Sequence, residues 1–201
     1  MKTKSHLKLR ALCEGAIMVA LAYVLSFIKL FELPQGGSID IGMLPIFLYC
    51  ARWGFGPGLL ASFVYSFLQL LQGGGFVIGW QSILGDYIVA YTLLGLAGLF
   101  HKNPYGYFYG VLVGGLARFL SHYITGATLW AEYMPDTFFG MTMTSPWFYS
   151  ALYNGSYMVL DCALVLLGMC VLFTVLGLVL YYPARRLNAA IAASKEKSGI
   201  M

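Results

Sequence analysis

Along the run RFLSHYITGATLW, Arg118, His122, Gly126 and Trp130 recur at every fourth residue inside an otherwise apolar stretch. That interval is close to one helical turn, so a cation, an imidazole, a gap and an indole share one side of a helix. Two other apolar runs carry polar chemistry: FVIGWQSILGDY holds Asp86 and Tyr87, and PWFYSALYNGSY holds Trp147, Tyr149, Tyr153, Asn154 and Tyr157. An aspartate in a partly dry, aromatic-lined site attracts a cation, and aromatic faces add about 2 kcal/mol of cation–π attraction where water is excluded. Asn154 offers donor and acceptor together, as the edge of a heterocycle requires. Gly126, between His122 and Trp130, leaves a gap in which a flat ligand can lie between two ring systems. The set favours a small, flat, polar, cationic ligand.

These residues must be positioned by membrane helices. Of the 201 residues 60% are hydrophobic and 10% charged, against roughly 25% charged in an ordinary soluble domain. Mean hydropathy is +0.76. About 20 apolar residues span a bilayer, so about six spans consume nearly the whole chain. The expected architecture is therefore an all-α integral membrane protein: one six-helix domain over 1–201, with short basic tails at about 1–8 and 184–201. The punctuation of the apolar runs places the spans at about Leu9–Phe31, Ile41–Ala51, Pro57–Leu71, Trp80–Phe100, Tyr105–Trp130 and Pro146–Tyr182. The first apolar run is too long for a signal core and lacks a cleavage site, so it is read as a retained span.

With both termini cytoplasmic, Arg52, Lys102 and the tail residues Arg185, Arg186, Lys195 and Lys197 join Lys2, Lys4, Lys8 and Arg10 on one side. That is ten of the twelve Lys and Arg residues, the asymmetry of a multi-pass membrane protein. The net charge of +4 then reports topology, not nucleic-acid binding. The opposite side receives the connections ELPQGGSID, LQGGGFVIG and AEYMPDTFFGMTMTS. In this frame Asp86, His122 and Asn154 reach one depth near the outer side, as a pocket open to the outside would require.

Some conspicuous residues have plainer readings. Intramembrane charges are costly, and Arg118 is read as a structural ion pair with Asp86 or Asp161. Glu14 is expected to meet Arg10 or a partner, and Trp80, Tyr105 and Tyr133 to sit in interfacial belts. Cys13, Cys50, Cys162 and Cys170 lie far apart in apolar runs and are read as small core residues, so no metal site is expected. No P-loop, H-E-x-x-H or G-x-S-x-G occurs, no catalytic residue stands out, and the chain is not expected to be an enzyme. Without an inverted repeat, a binding subunit that borrows energy from partners is favoured over a self-sufficient carrier. The carrier alternative would use Asp86, Arg118 and Asp161 as a proton relay. In GAIMVALAYV, Ala16 and Ala20 have the small-residue spacing that lets another helix approach closely.

From the first span to about Tyr157, and most specifically in RFLSHYITGATLW and YSALYNGSY, the chain resembles the thiamine-specific substrate-binding (S) components of energy-coupling factor transporters, bacterial vitamin importers of the ABC type. The resemblance implies a thiamine pocket near the outer face, capped by the first and other outer loops. It also implies the membrane coupling protein EcfT and two cytoplasmic ATPases as partners, and no cofactor of the chain's own. Carried over by motif, the pocket uses Asp86, Tyr87, His122, Gly126, Trp130, Tyr149 and Asn154, while Ala16 and Ala20 face the coupling protein. An S component for another vitamin or a thiamine precursor is the neighbouring alternative. Two features depart from the family: Asp86 stands where glutamate is typical, and LPQGGSID lacks the tryptophan that covers the ligand. Either a ring from another loop closes the site, or the lid is looser.

Overall fold

The computed structural model describes residues 4–73 and 76–176. Lys2, the end of the sixth expected span to Tyr182, and the tail 184–201 with Arg185, Arg186, Lys195 and Lys197 lie outside them. Two compact units are distinguished, Met1–Leu166 and Leu167–Met201. The packing and the cavity below belong to the first; the described part of the second, residues 167–176, is α-helical.

Among the described residues there are six helices: α1 (Lys4–Leu25), α2 (Met43–Trp53), α3 (Phe55–Gly73), α4 (Trp80–Phe100), α5 (Gly106–Thr128) and α6 (Pro146–Leu176). Each coincides with one expected span, with two shifts at the N-terminal end. First, α1 begins at Lys4, inside the stretch expected as a tail. Second, α1 stops at Leu25 although the apolar run continues to Phe31. Ser26 turns its hydroxyl back to the Tyr23 carbonyl (2.7 Å) and to Gln72 Oε1 (2.8 Å), and the Leu30 N–H pairs instead with the Ile39 carbonyl (2.8 Å). The chain thereby enters an antiparallel hairpin of β1 (Phe31–Glu32) and β2 (Ser38–Ile39). A second hairpin, β3 (Thr137–Phe138) with β4 (Met141–Thr142), lies in the α5–α6 connection. The all-α architecture holds, and at these two loops short pairings satisfy backbone groups that no helix takes up.

Large apolar side chains face outward along the helices, which they do not in a soluble protein. On α5, Leu112, Leu116, Leu120 and Ile124 are exposed at every fourth position, while Arg118 and Thr125 are buried together with Val111, Gly114 and Gly115. On α1 the small face Ala11, Gly15, Val19 and Ala22 packs inward, and Tyr49 of α2 donates to the Ala11 carbonyl (2.8 Å). Ala16 and Ala20 point outward among Leu12, Ile17, Leu21 and Val24. A contiguous surface of this kind is stable against lipid and not against water. Both α4 and α6 have the length and apolar composition to cross a bilayer. Cys50 is buried, but Cys13 and Cys170 are exposed. The core assignment is thus corrected for those two, because an apolar outer face accommodates a small thiol as readily as the interior does.

At one end, Glu14 of α1 accepts from Arg10 (2.8 Å), from Arg52 (2.7 Å) and from Trp53 Nε1 (2.7 Å), tying α1 to the end of α2. The expected contact with Arg10 is one of three.

Candidate ligand site

The helix that carries Asp86 is irregular. α4 changes to π-helical geometry over Ile83–Val89 and to 3₁₀ over Leu93–Phe100. At the π turn the Ala90 N–H reaches back to the Gly85 carbonyl, which also accepts from Ser121 Oγ of α5 (2.7 Å). Such single-turn widenings concentrate at functional sites. Here it brings consecutive residues, Asp86 and Tyr87, to one cavity.

Asp86 is surrounded by donors. Oδ1 accepts from His122 Nδ1 (3.2 Å) and from the Thr125 hydroxyl, and Oδ2 accepts from Trp130 Nε1 (2.9 Å) and Ser82 Oγ (3.1 Å). Helix α5 ends at Thr128, so Trp130 lies just beyond the helix on which its spacing placed it. The Trp130 N–H still returns to the Thr125 carbonyl (3.3 Å), and the indole thus reaches Asp86.

All seven expected pocket residues line the cavity, yet Gly126 and Asn154 are engaged differently from the expectation. A Cβ added to Gly126 would collide with Ser150 Oγ and come within 3.1 Å of Asn154 Nδ2. The gap is therefore filled by α6, and the glycine lets two helices approach. Asn154 directs Nδ2 to the His122 carbonyl (3.2 Å) and the Ser150 carbonyl (3.0 Å), while Oδ1 accepts from Tyr157 (2.8 Å). Its amide joins α5 to α6 and is not left free for a heterocycle edge. Tyr87 gives its hydroxyl to the Gly73 carbonyl (2.6 Å) and presents its ring. Tyr149 donates to Gln35 Oε1 (3.1 Å) of the α1–α2 loop.

That loop is tied down from the side of α6. The Tyr153 hydroxyl donates to the Pro34 carbonyl and accepts from the Gly37 N–H (3.0 Å). Gln35 is held at φ 63°, a left-handed conformation unusual for a residue with a Cβ, and its Nε2 lies 3.4 Å from the Tyr133 carbonyl. LPQGGSID contributes no ring of its own, but rings from the other two connections stand beside it. Phe76 lies against Gly36 so closely that a Cβ there would come within 2.9 Å of its ring, and Tyr133 packs on Trp130 at 5.4 Å. Both line the cavity. Tyr133, on the 3₁₀ turn Ala131–Tyr133 and half exposed, lines the cavity in addition to the belt position expected of it.

Arg118 pairs with Asp161 (3.7 Å) and makes no bond to Asp86. It also donates to Tyr91 (2.8 Å) and Met43 Sδ (3.0 Å), and it stacks 4.2 Å from the Tyr91 ring centre. Of the three residues that a proton relay would join, Arg118 is paired directly with Asp161, and Asp86 is bonded to His122 instead. Asp161 in turn accepts from the Asp40 N–H (3.0 Å), anchoring the end of the α1–α2 loop. Burial pushes the Asp40 carboxyl above its usual range, against the opposing pull of the Gly42 N–H and Arg118. Tyr91, Gln69 and Asp40 also line the cavity and were not singled out from the sequence. Nothing in their local spacing marks them.

The cavity has a volume of about 140 Å³ and is lined from α3, α4, α5, α6 and all three connections at this end. Glu32, Asp40 and Asp86 line it together with Lys29 and Arg118; Lys29 pairs with Glu32 (2.6 Å) and Arg118 with Asp161 (3.7 Å), which leaves Asp86 without a Lys or Arg partner. The surplus is negative and the walls are aromatic, which suits a cation. Fold and site together define a helical membrane protein built around a polar, aromatic cavity for a small ligand.

The model of the family described as thiamine transporter protein matches residues 12–179. The thiamine transporter ThiT of Bacillus subtilis is 34% identical over 81% of this chain and 89% of its own length. ThiT of Lacticaseibacillus paracasei is 30% identical over 86% of this chain and 90% of its own. A solved structure of ThiT from Listeria monocytogenes superposes with a TM-score of 0.73 at 24% identity, covering 83% of this chain and 94% of that one; it shares the fold. The chain belongs to the thiamine transporter protein family. These relatives are named as transporters and not as enzymes, in agreement with the lack of catalytic motifs.

Proposed function

We propose that this chain is the thiamine-binding S component of an energy-coupling factor importer. It captures thiamine from outside the cell and releases it inside when ATP hydrolysis by partner subunits reorients it. The observation that carries this reading is the aromatic cavity with a carboxylate surplus beneath three loops, in a chain of this family. Thiamine joins a flat aminopyrimidine to a flat, permanently cationic thiazolium ring, and such a cavity offers it ring faces and negative charge. Asp86, Tyr87, His122, Gly126, Trp130, Tyr149 and Asn154 form the wall on the α4, α5 and α6 side. Tyr91, Tyr133, Phe76 and Asp40 complete it.

Charge asymmetry, the exposed small residues of α1 and the resemblance to energy-coupling factor S components support the rest. The chain works as one six-helix domain of the bacterial cytoplasmic membrane, with both termini inside and the cavity end outside. Its exposed Ala16 and Ala20 meet the membrane coupling protein EcfT, which two cytoplasmic ATPases drive. Detergent-purified protein titrated with thiamine should give saturable heat and tryptophan quenching, with riboflavin as the control that gives neither. Trp130→Ala and Asp86→Asn should weaken the response; no saturable response in the unaltered protein would refute the ligand. Uptake into vesicles should require the ATPases and the coupling protein. Ala16→Trp should spare binding and abolish uptake, and uptake by the chain alone on a proton gradient would favour a carrier instead.

A further inference from the structure

The α5–α6 connection carries an apolar tip. Its segment TFFGMT, residues 137–142, holds no charge, and Phe139 and Met141 are 60% and 41% exposed. A Cβ added to Gly140 would meet no atom of the described residues within 4 Å, so this end of the hairpin projects from the packed helices. Phe139 and Gly140 both have positive φ, 50° and 75°, as the two-residue turn between β3 and β4 requires. Asparagine, aspartate or glycine ordinarily takes the first of these positions, and a phenylalanine there is unusual. Turn geometry therefore does not account for the ring.

The level of the hairpin along α6 decides what surrounds that ring. Phe138, its neighbour in the chain, packs on Phe139 (4.2 Å between ring centres), on Tyr149 (5.4 Å) and on Tyr153 (5.8 Å). Tyr149 and Tyr153 lie about one turn apart near the start of α6, so the hairpin runs alongside the helix end. On the same first turn Trp147 and Phe148 are exposed, which carries the lipid-facing surface of the helices up to this level. The Met143 N–H closes the hairpin on the Asp136 carbonyl (2.9 Å), and Met143 itself is buried. The base is thus fixed to the protein, while the uncharged tip stands at the depth of the bilayer interface. Water there would leave two large apolar side chains unburied; the headgroup and acyl boundary of a lipid layer buries them.

We propose that the tip of the β3–β4 hairpin, through Phe139 and Met141, seats in the interfacial layer of the bilayer at the cavity end of the molecule, and that the membrane thereby holds Phe138 against Tyr149 and Tyr153. The lipid contact goes beyond the functional reading above, and only its effect on thiamine rests on that reading. Tyr149 lines the cavity and donates to Gln35, and Tyr153 latches Pro34 and Gly37. A hairpin pressed on these two rings steadies the cavity wall and the α1–α2 loop together, and lifting it loosens both.

Quenching of a reporter at the tip tests the contact. The full chain carrying Phe139→Trp is placed in phosphatidylglycerol nanodiscs, with the unaltered protein and its four tryptophans as the baseline. The added emission should be quenched by lipid brominated near the top of its acyl chains and spared by aqueous iodide. Quenching by iodide alone would put the tip in water, and protection from both would put it against protein, a second copy included; either result overturns the proposal. A second measurement leaves the tip unsubstituted. In glycine-labelled unaltered protein the Gly140 amide, identified by its loss in Gly140→Asn, should broaden with spin-labelled lipid and not with a soluble gadolinium chelate; the reverse would overturn the proposal.

Thiamine release reads the holding role. Asparagine suits a positive φ better than phenylalanine does, so Phe139→Asn improves the turn while it removes the ring. In nanodiscs thiamine should nevertheless leave this variant about tenfold faster, the scale set by losing most of the transfer free energy of a buried phenylalanine. Phe139→Leu, still apolar, should release like the unaltered protein. Equal release from Phe139→Asn and the unaltered protein would overturn the holding role. Should the unaltered protein bind no thiamine at all, the functional reading falls, while the quenching pattern still decides the lipid contact.

Discussion

Replacing Asp161 with alanine should destabilise the protein more than any other single change at this end of the helices. Asp161 and Arg118 are 2% and 8% exposed at their side chains, so solvent does not screen the loss. Removing one partner of a buried pair costs about 3–5 kcal/mol, because the other charge is left without compensation. The Asp40 N–H loses its acceptor at the same time, which adds about 1–3 kcal/mol if no water replaces it. The Tyr91 hydroxyl and ring remain against the guanidinium, which argues for the lower half of the combined range. Asp161→Asn should cost less, since an amide oxygen can still accept from Asp40. The pair Asp161→Ala with Arg118→Met should recover much of the loss, because two apolar side chains replace an ion pair at little net cost. Thermal unfolding in detergent, followed by loss of monodisperse protein, measures all three. If Asp161→Ala melts like the unaltered protein, or if the double variant is as unstable as the single one, the argument that Asp161 holds Arg118 is wrong.

Other substitutions test neighbouring steps. Gly126→Ala should destabilise by about 1–3 kcal/mol through overpacking, and Ser150→Gly should restore part of it in the same melting assay, since Ser150 is the nearest obstacle. Tyr153→Phe removes a hydroxyl that serves both Pro34 and Gly37, at about 0.5–1.5 kcal/mol for each net bond. Amide exchange at Gly37 should accelerate while exchange within α5 stays unchanged, and equal rates would show that the latch does not restrain the loop. Glu14→Gln should shift Trp53 emission, because the indole N–H donates to that carboxylate; an unshifted spectrum would deny the contact.

The π turn in α4 shows where local reading stops. The run from Trp80 to Phe100 reads as one apolar span, and its ends coincide with the helix. Hydropathy is a sum over a window, however, and does not register one residue's change of winding at Ile83–Val89. The change is stabilised from another helix, by Ser121 on the Gly85 carbonyl and Thr125 on Asp86. The hairpins at Phe31–Ile39 and Thr137–Thr142 escaped for a similar reason: each strand has two residues, too few to show an alternation.

The residues likewise divide between what spacing can reveal and what it cannot. A buried charge in an apolar run stands out against its neighbours, so Asp86, Arg118, His122 and Asp161 were legible, as was the inward turn of α5. The six helices, too, were legible, because the bilayer imposes length and composition on each span separately. Which carboxylate Arg118 would choose, that α6 would fill the gap at Gly126, and that the amide of Asn154 would be spent between helices depended on tertiary contacts. So did the role of Tyr91, Tyr133 and Phe76, which no local pattern separates from aromatic residues facing lipid. Hydrogen bonds and close approaches join residues dozens of positions apart, and their partners are decided only when the helices pack.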